Sequence, residues 1–216
     1  MALVVPAILA ENSKEYHDKF ELVSPYCRKI QVDIMDGIFV PDKTIKYEEI
    51  PTYNSPVKLE LHLMMKDPLS IFQYPKHPAV NTIIFHYEAV KNPTLVLQSI
   101  PERLIKGIAI NPETPTSVLL PFVKDIDLVL IMSVHPGKDG QEFAPEVLTK
   151  IGEIKAMRPG IIIEMDGGIN KTNAQEIAAS NIDQAVVGSF LYQKGDIQRT
   201  IKELMLDFGD IEGVSL

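Results

Sequence analysis

The sequence is short of cysteine, of positive charge and of long apolar runs, and each shortage excludes something. Cys27 is the only cysteine, so no intrachain disulfide can form and a reducing, cytoplasmic setting is expected. Its ordinary reading is a small buried hydrophobe rather than a nucleophile. With 21 basic residues against 29 acidic ones the net charge is −8, which argues against a broad nucleic-acid surface, because such surfaces work by neutralising phosphates. A small anionic substrate is still compatible, provided a local cluster of donors receives it. No apolar stretch approaches the roughly 20 residues of a membrane helix. The opening "MALVVPAILAEN" lacks the basic region of a signal peptide and is interrupted by Pro6, so it reads as a buried first strand, and no membrane partner is expected. Low-complexity segments and composition shifts that would mark a linker are also missing, and residues 1–216 are read as one domain.

What is there is an alternation. Short β-rich runs, "LVVPAIL", "KIQVDIM", "VKLELHLM", "TIIFHY", "KGIAIN", "DLVLIM", "IIIEMD" and "QAVVGS", are separated for the most part by helical patterns such as "NPTLVLQSI", "APEVLTKIGEIKAM", "TNAQEIAAS" and "DIQRTIKELML". Strands alternating with helices make a parallel α/β sheet, and eight strands close it into a (β/α)8 TIM barrel. The connection "FVPDKTIKYEEIPTYNSP" has room for one short helix at most and is the weakest unit. An open doubly wound sheet would show the same alternation, but it uses mainly one central crevice. Here polar residues end every strand after the first: Asp33, His62, His86 with Glu88, Asn111, His135, Asp166, and Gly188 with Ser189. Only a barrel brings such scattered ends to a single mouth.

Residues two apart share a face of a strand. Gln31 therefore sits with Asp33, Glu60 with His62 and Met64, and Glu164 with Asp166, whereas Leu59, Leu61, Leu63, Ile163 and Met165 face the helices. Carboxylates gathered in a barrel interior must protonate, pair with donors or bind a cation. His62 with Asp33 and Asp166 makes a candidate set for one divalent metal, with zinc, manganese, iron or cobalt admissible for imidazole and carboxylate ligands. The competing reading of His62 is a core histidine bonded to Glu60 or to a backbone carbonyl. Gly167 with Gly168, and Gly188 with Ser189, end the last two strands, where barrels commonly bind phosphate through backbone N–H groups. The segment "HPGKDGQEF" carries Gly137 and Gly140 and reads as either a lid over the mouth or an ordinary surface loop.

Taken in order and spacing, "VDIMDGIFVP", "LHLMM", "HYEA", "IMSVHPGKDGQEF", "MDGGIN" and "VVGSFL" resemble the ribulose-phosphate 3-epimerase family over nearly the whole chain. The resemblance implies an isomerase of the pentose phosphate pathway that inverts carbon 3 of a pentulose 5-phosphate, D-ribulose to D-xylulose 5-phosphate, through an enediolate. It implies Asp33 and Asp166 as acid and base that also bind the metal, and His62 as a further ligand. Met35, Met64 and Met132 would line the enediolate pocket, with Gly167, Gly168, Gly188 and Ser189 gripping the phosphate. Asp36 is assigned instead to the turn after its strand. The family usually has histidine where this chain has Gln31, serine where Ala7 stands in "PAIL", and a lid without Lys138 and Asp139. Gln31 as a neutral amide ligand would favour harder ions, manganese, ferrous iron or magnesium, over zinc. The partners implied are a phosphorylated ketose and further copies of the chain in a homo-oligomer. A relative acting on a hexulose 6-phosphate, or a non-catalytic phosphosugar-binding barrel, are the alternatives that these departures leave open.

Overall fold

The computed structural model describes residues 1–137, 141–193 and 195–210. Eight strands rich in β-branched and aliphatic residues pair in chain order, each parallel to the next, and the last pairs with the first to close a barrel. They are β1 (Leu3–Ile8), β2 (Lys29–Met35), β3 (Lys58–Met64), β4 (Val80–His86), β5 (Ile105–Ile110), β6 (Leu128–Met132), β7 (Ile162–Asp166) and β8 (Gln184–Val187). Leu59, Leu61, Leu63, Ile163 and Met165 do face outward, into one continuous apolar layer under the helices.

The outer layer is built from α1 (Ser13–Val23), α2 (Pro93–Ser99), α3 (Thr149–Met157), α4 (Ala174–Ala179), α5 (Ser189–Tyr192) and α6 (Ile197–Phe208). Local chemistry sets their ends. The side chains of Asn12, Asn92 and Asp196 accept the Glu15, Leu95 and Arg199 N–H groups at 3.0, 3.2 and 2.9 Å, satisfying donors the helix cannot use. At its other end α6 stops on Gly209, whose φ of 71° is the left-handed conformation that favours glycine. Its buried stripe, Ile201, Leu204, Met205 and Phe208, covers the β1 end of the barrel, where the Ala2 N–H donates to the Phe208 carbonyl at 2.9 Å. After β2, β3 and β5 the connections hold only 3-10 turns, Tyr47–Glu49, Pro68–Gln73 and Thr116–Leu119. The weak unit expected after β2 is there.

Inside the barrel the lining is divided. Ile84, Ala109, Leu128, Leu130 and Met132 form an apolar cluster from β4, β5 and β6, and Val5, Ala7 and Val186 form another from β1 and β8. The polar inward residues come mainly from β2, β3 and β7. Cys27 lies outside the barrel; burial pushes its thiol up to about 12, so it behaves as the small hydrophobe expected.

Candidate active site

Pairing of β2 with β3 puts Asp33 opposite His62 and Met35 opposite Met64; pairing of β6 with β7 puts Met132 opposite Asp166. The functional side chains therefore share one level at the C-terminal mouth. His62 Nδ1 lies 3.0 Å from Asp33 Oδ1 and 3.6 Å from Asp166 Oδ2. One donor atom from each of the three residues falls within 4.8 Å of the others. His62 is thus turned to the carboxylates, and the reading of it as a core histidine bonded to Glu60 or to a backbone carbonyl fails, because its Nδ1 meets Asp33 and its Nε2 meets His86.

The backbone under these groups is tied down. Thr44 Oγ1 donates to the Asp33 carbonyl at 2.7 Å and accepts from the Met35 N–H at 2.8 Å, while Ser133 Oγ donates to the Asp166 and Gly167 carbonyls at 2.9 and 2.6 Å. Asp36 accepts from the Ile38, Phe39 and Lys66 N–H groups at 2.8, 3.0 and 2.7 Å. It shapes the turn after β2, as the sequence suggests.

Electrostatically the cluster is a set of acceptors short of positive charge. Burial, then the neighbouring Asp33 carboxylate, push the Asp166 carboxyl from 3.8 up to about 7, against the opposing pull of His62 and Gln31. Burial lowers the His62 pKa, so the imidazole is held neutral. Gln31 bridges the two carboxylates: its Nε2 donates to Asp33 Oδ1 at 3.0 Å and to Asp166 Oδ2 at 2.9 Å, and its Oε1 is buried without a partner among the described residues. The amide nitrogen, not the oxygen, faces the site here. Two carboxylates and an imidazole lone pair converging in a buried site are what a divalent cation requires, so the residues present fit an ion.

Above the cluster opens a pocket whose lining includes Met35, Met64 and Met132, the strand-end residues Gly167, Gly168, Gly188 and Ser189, and Ala7 and Leu9. The three methionines are buried. Gly168 has φ of 63°, and a Cβ there would come within 2.6 Å of the Phe143 backbone nitrogen, so only glycine lets the segment after β6 lie against the end of β7. Gly137, at φ 95°, and Gln141 line the same pocket. Gly140, Lys138 and Asp139 lie outside the described residues.

Residues 3–192 match the model of the ribulose-phosphate 3 epimerase family. The chain belongs to this family. A ribulose-phosphate 3-epimerase of Mycobacterium leprae is 33% identical over 94% of this chain and 93% of its own length, and that of Escherichia coli K12 is 31% identical over 97% of each. The Bacillus subtilis protein of the same name is 34% identical over 81% of this chain and 84% of its own. Among solved structures, 3-hexulose-6-phosphate synthase from Salmonella typhimurium superposes with a TM-score of 0.68 at 12% identity, covering 96% of this chain and 99% of that one. Orotidine 5'-phosphate decarboxylase from Pyrococcus horikoshii gives 0.62 at 14% identity, over 96% and 99%. At such identities the two share the barrel with the epimerase family and nothing finer is taken from them.

Two parts of this epimerase-family barrel were not picked out from sequence. Lys29 begins β2 and points inward, where its Nζ donates to Glu60 Oε2 at 2.8 Å and to Gln184 Oε1 at 2.9 Å. The alternation that pairs Gln31 with Asp33 also reaches Lys29, and the buried Glu60 and Glu164 call for a cation, so the signal was present. The second part is the contact of His62 with His86, whose Nε2 atoms lie 2.8 Å apart.

Proposed function

We propose that this chain inverts carbon 3 of D-ribulose 5-phosphate, giving D-xylulose 5-phosphate, with one divalent ion held by Asp33, His62 and Asp166. The observation that carries the reading is the convergence of these three side chains within 4.8 Å at the base of a pocket, in a member of a family named for this reaction. A proton beside a ketone is weakly acidic, so a base must take it while the enediolate oxygens are stabilised. When bound, the ion supplies that stabilisation as a Lewis acid.

Asp33 on β2 and Asp166 on β7 work from the two faces of the substrate. One removes the carbon-3 proton and the other returns a proton from the opposite side, which inverts the centre. Met35, Met64 and Met132 wall the reacting carbons off from water without offering a competing proton. Gly167, Gly168, Gly188 and Ser189 take the phosphate through backbone N–H groups and the serine hydroxyl, with Gly137 lining the same pocket.

Gln31 completes the ion's shell by turning its amide over. Gln31 Oε1 is buried without a partner among the described residues, and Gln31 stands opposite Glu60 in the sheet, whose Oε1 is likewise unpartnered there. Turned over, the amide would offer its oxygen to a bound cation and its N–H groups toward Glu60, so that Oε1 would no longer be buried without a partner. An oxygen-rich shell then favours manganese, ferrous iron or magnesium over zinc. The test is to incubate the protein with ribulose 5-phosphate, and separately with a hexulose 6-phosphate, in deuterium oxide. Deuterium entering at carbon 3 of the pentulose, with xylulose 5-phosphate accumulating, is expected. Binding without exchange would mean a non-catalytic barrel, and exchange confined to the hexulose would reassign the substrate.

A further inference from the structure

A row of four groups runs outward from the proposed ion site. Asp33 Oδ1 is 3.0 Å from His62 Nδ1, His62 Nε2 is 2.8 Å from His86 Nε2, and His86 Nδ1 is 3.4 Å from Glu88 Oε2. The two rings are 26° from coplanar with centroids 5.0 Å apart, the geometry of a head-on N···N hydrogen bond rather than face stacking. Both imidazoles are fully buried. His86 Nδ1 and Glu88 Oε2 face each other as a buried charge contact, and neither makes a hydrogen bond of good geometry among the described residues. Glu88 is fixed from behind, its Oε1 accepting the Asn111 N–H at 2.8 Å and the Thr114 hydroxyl. The Asn111 side chain also lies near His86, its Oδ1 buried without a hydrogen bond among the described residues.

Proton counting sets the direction of this row. It has three gaps, each needing a proton or a cation between two acceptors, and two neutral imidazoles bring only two protons. An imidazole ligates an ion only through a bare nitrogen, and the 2.8 Å contact between the two Nε2 atoms holds one proton, not two, so each ring is counted with a single proton. At one end the Glu88 carboxylate can only accept, so His86 carries its proton on Nδ1. Its bare Nε2 then has to receive a proton from His62 Nε2. That leaves a lone pair on His62 Nδ1, facing Asp33 and Asp166, and the gap without a proton is the one where a cation fits.

We propose that Glu88 and His86 are positioning residues that lock His62 in its Nε2–H tautomer and so aim the Nδ1 lone pair at the ion. The inference rests on the reading that an ion binds between Asp33, His62 and Asp166. Imidazole ligands owe their orientation and basicity to the partner of their second nitrogen, and losing that partner typically weakens metal binding about 10- to 100-fold.

Glu88→Gln tests the direction, because the Asn111 and Thr114 donors hold the amide oxygen on their side and set the NH2 against His86. Donor then meets donor, which favours a proton on His86 Nε2 and drives the His62 proton to Nδ1. Zinc affinity, read by chelator competition, is expected to fall about 10- to 100-fold in Glu88→Gln and by less in Glu88→Ala, which removes the acceptor without opposing it. A packing role for Glu88 reverses that order, since Ala removes more atoms. In zinc-loaded wild type, long-range 15N–1H spectra of the folded protein should place the His86 proton on Nδ1. Unchanged affinity in Glu88→Gln, a larger loss in Glu88→Ala, or a His86 proton on Nε2 would overturn the proposal. Wild type that binds neither zinc nor manganese would instead sink the reading of the ion site beneath it.

Discussion

Two buried charge clusters are stacked inside the barrel, and they are balanced in different ways. The floor contains Glu60, Glu164, Gln184 and Lys29; the mouth contains Asp33, Asp166, His62 and Gln31. In the floor the cation is covalently part of the chain. Burial works against the Lys29 charge, but Glu60 and Glu164 outweigh it and hold the ammonium protonated, while burial and Glu60 push the Glu164 carboxyl well above its usual range. The mouth has the same excess of acceptors and no lysine. It is bridged by an amide, and burial and the neighbouring Asp33 raise the Asp166 carboxyl to about 7. The floor cluster brings its own counter-ion, whereas on the reading proposed above the mouth takes its counter-ion as a ligand.

The largest effect separating the two should be on turnover. Asp33→Asn and Asp166→Asn are each expected to lower epimerisation by about 10²- to 10⁴-fold, the usual loss for a general acid or base, with loss of bound metal. The double variant should be little worse than either single one, because the two carboxylates act as a unit. Near-normal steady-state kinetics in one single variant would remove that aspartate from the mechanism.

Next comes stability. Lys29→Met should cost about 3–5 kcal/mol in urea denaturation, since it strands Glu60 in the interior without its partner. A loss below about 1 kcal/mol, as for an exposed pair, would show that the floor does not depend on its lysine.

A smaller effect follows from pH. In metal-free protein Asp166 holds its proton up to about 7, whereas its ordinary value is 3.8. Between those values the folded state binds more protons than the unfolded chain, so stability should decline as pH rises through that window. Asp166→Asn, or loading with a divalent ion, should flatten that part of the stability curve; an unchanged slope in Asp166→Asn would assign it to another group. Smallest of all, Gln31→His should tighten zinc, imidazole being the better ligand for it, and Gln31→Ala should loosen manganese and slow turnover together. Identical affinities in all three proteins would place Gln31 outside the shell.

Much of this was legible in the sequence, and the exceptions have physical causes. Strand cores and their inward faces followed from two-residue alternation, so the level shared by Asp33, His62 and Asp166 could be read once the barrel was chosen. Lys29 was passed over because a lysine at the start of a strand ordinarily lies in solvent. The contact between His62 and His86 depends on register. Leu59 pairs with Val80 but Glu60 pairs with Thr82, an irregularity that sets His62 beside Ile84 and brings His86 one inward position further up the barrel. No local pattern encodes such a slip. Gln31 was recognised as belonging to the site, but which end of its amide faces the carboxylates is decided by the charge of the assembled cluster.

The most direct test of the contrast between floor and mouth is a manganese titration of chelator-stripped protein, with carbon-3 exchange in deuterium oxide followed in the same samples. One ion per chain, binding and exchange recovering together in wild type and both lost in Asp166→Asn, is the expected result. Full exchange in stripped protein, or binding that survives Asp166→Asn unchanged, would contradict the account of the mouth as a site built around a cation it does not itself supply.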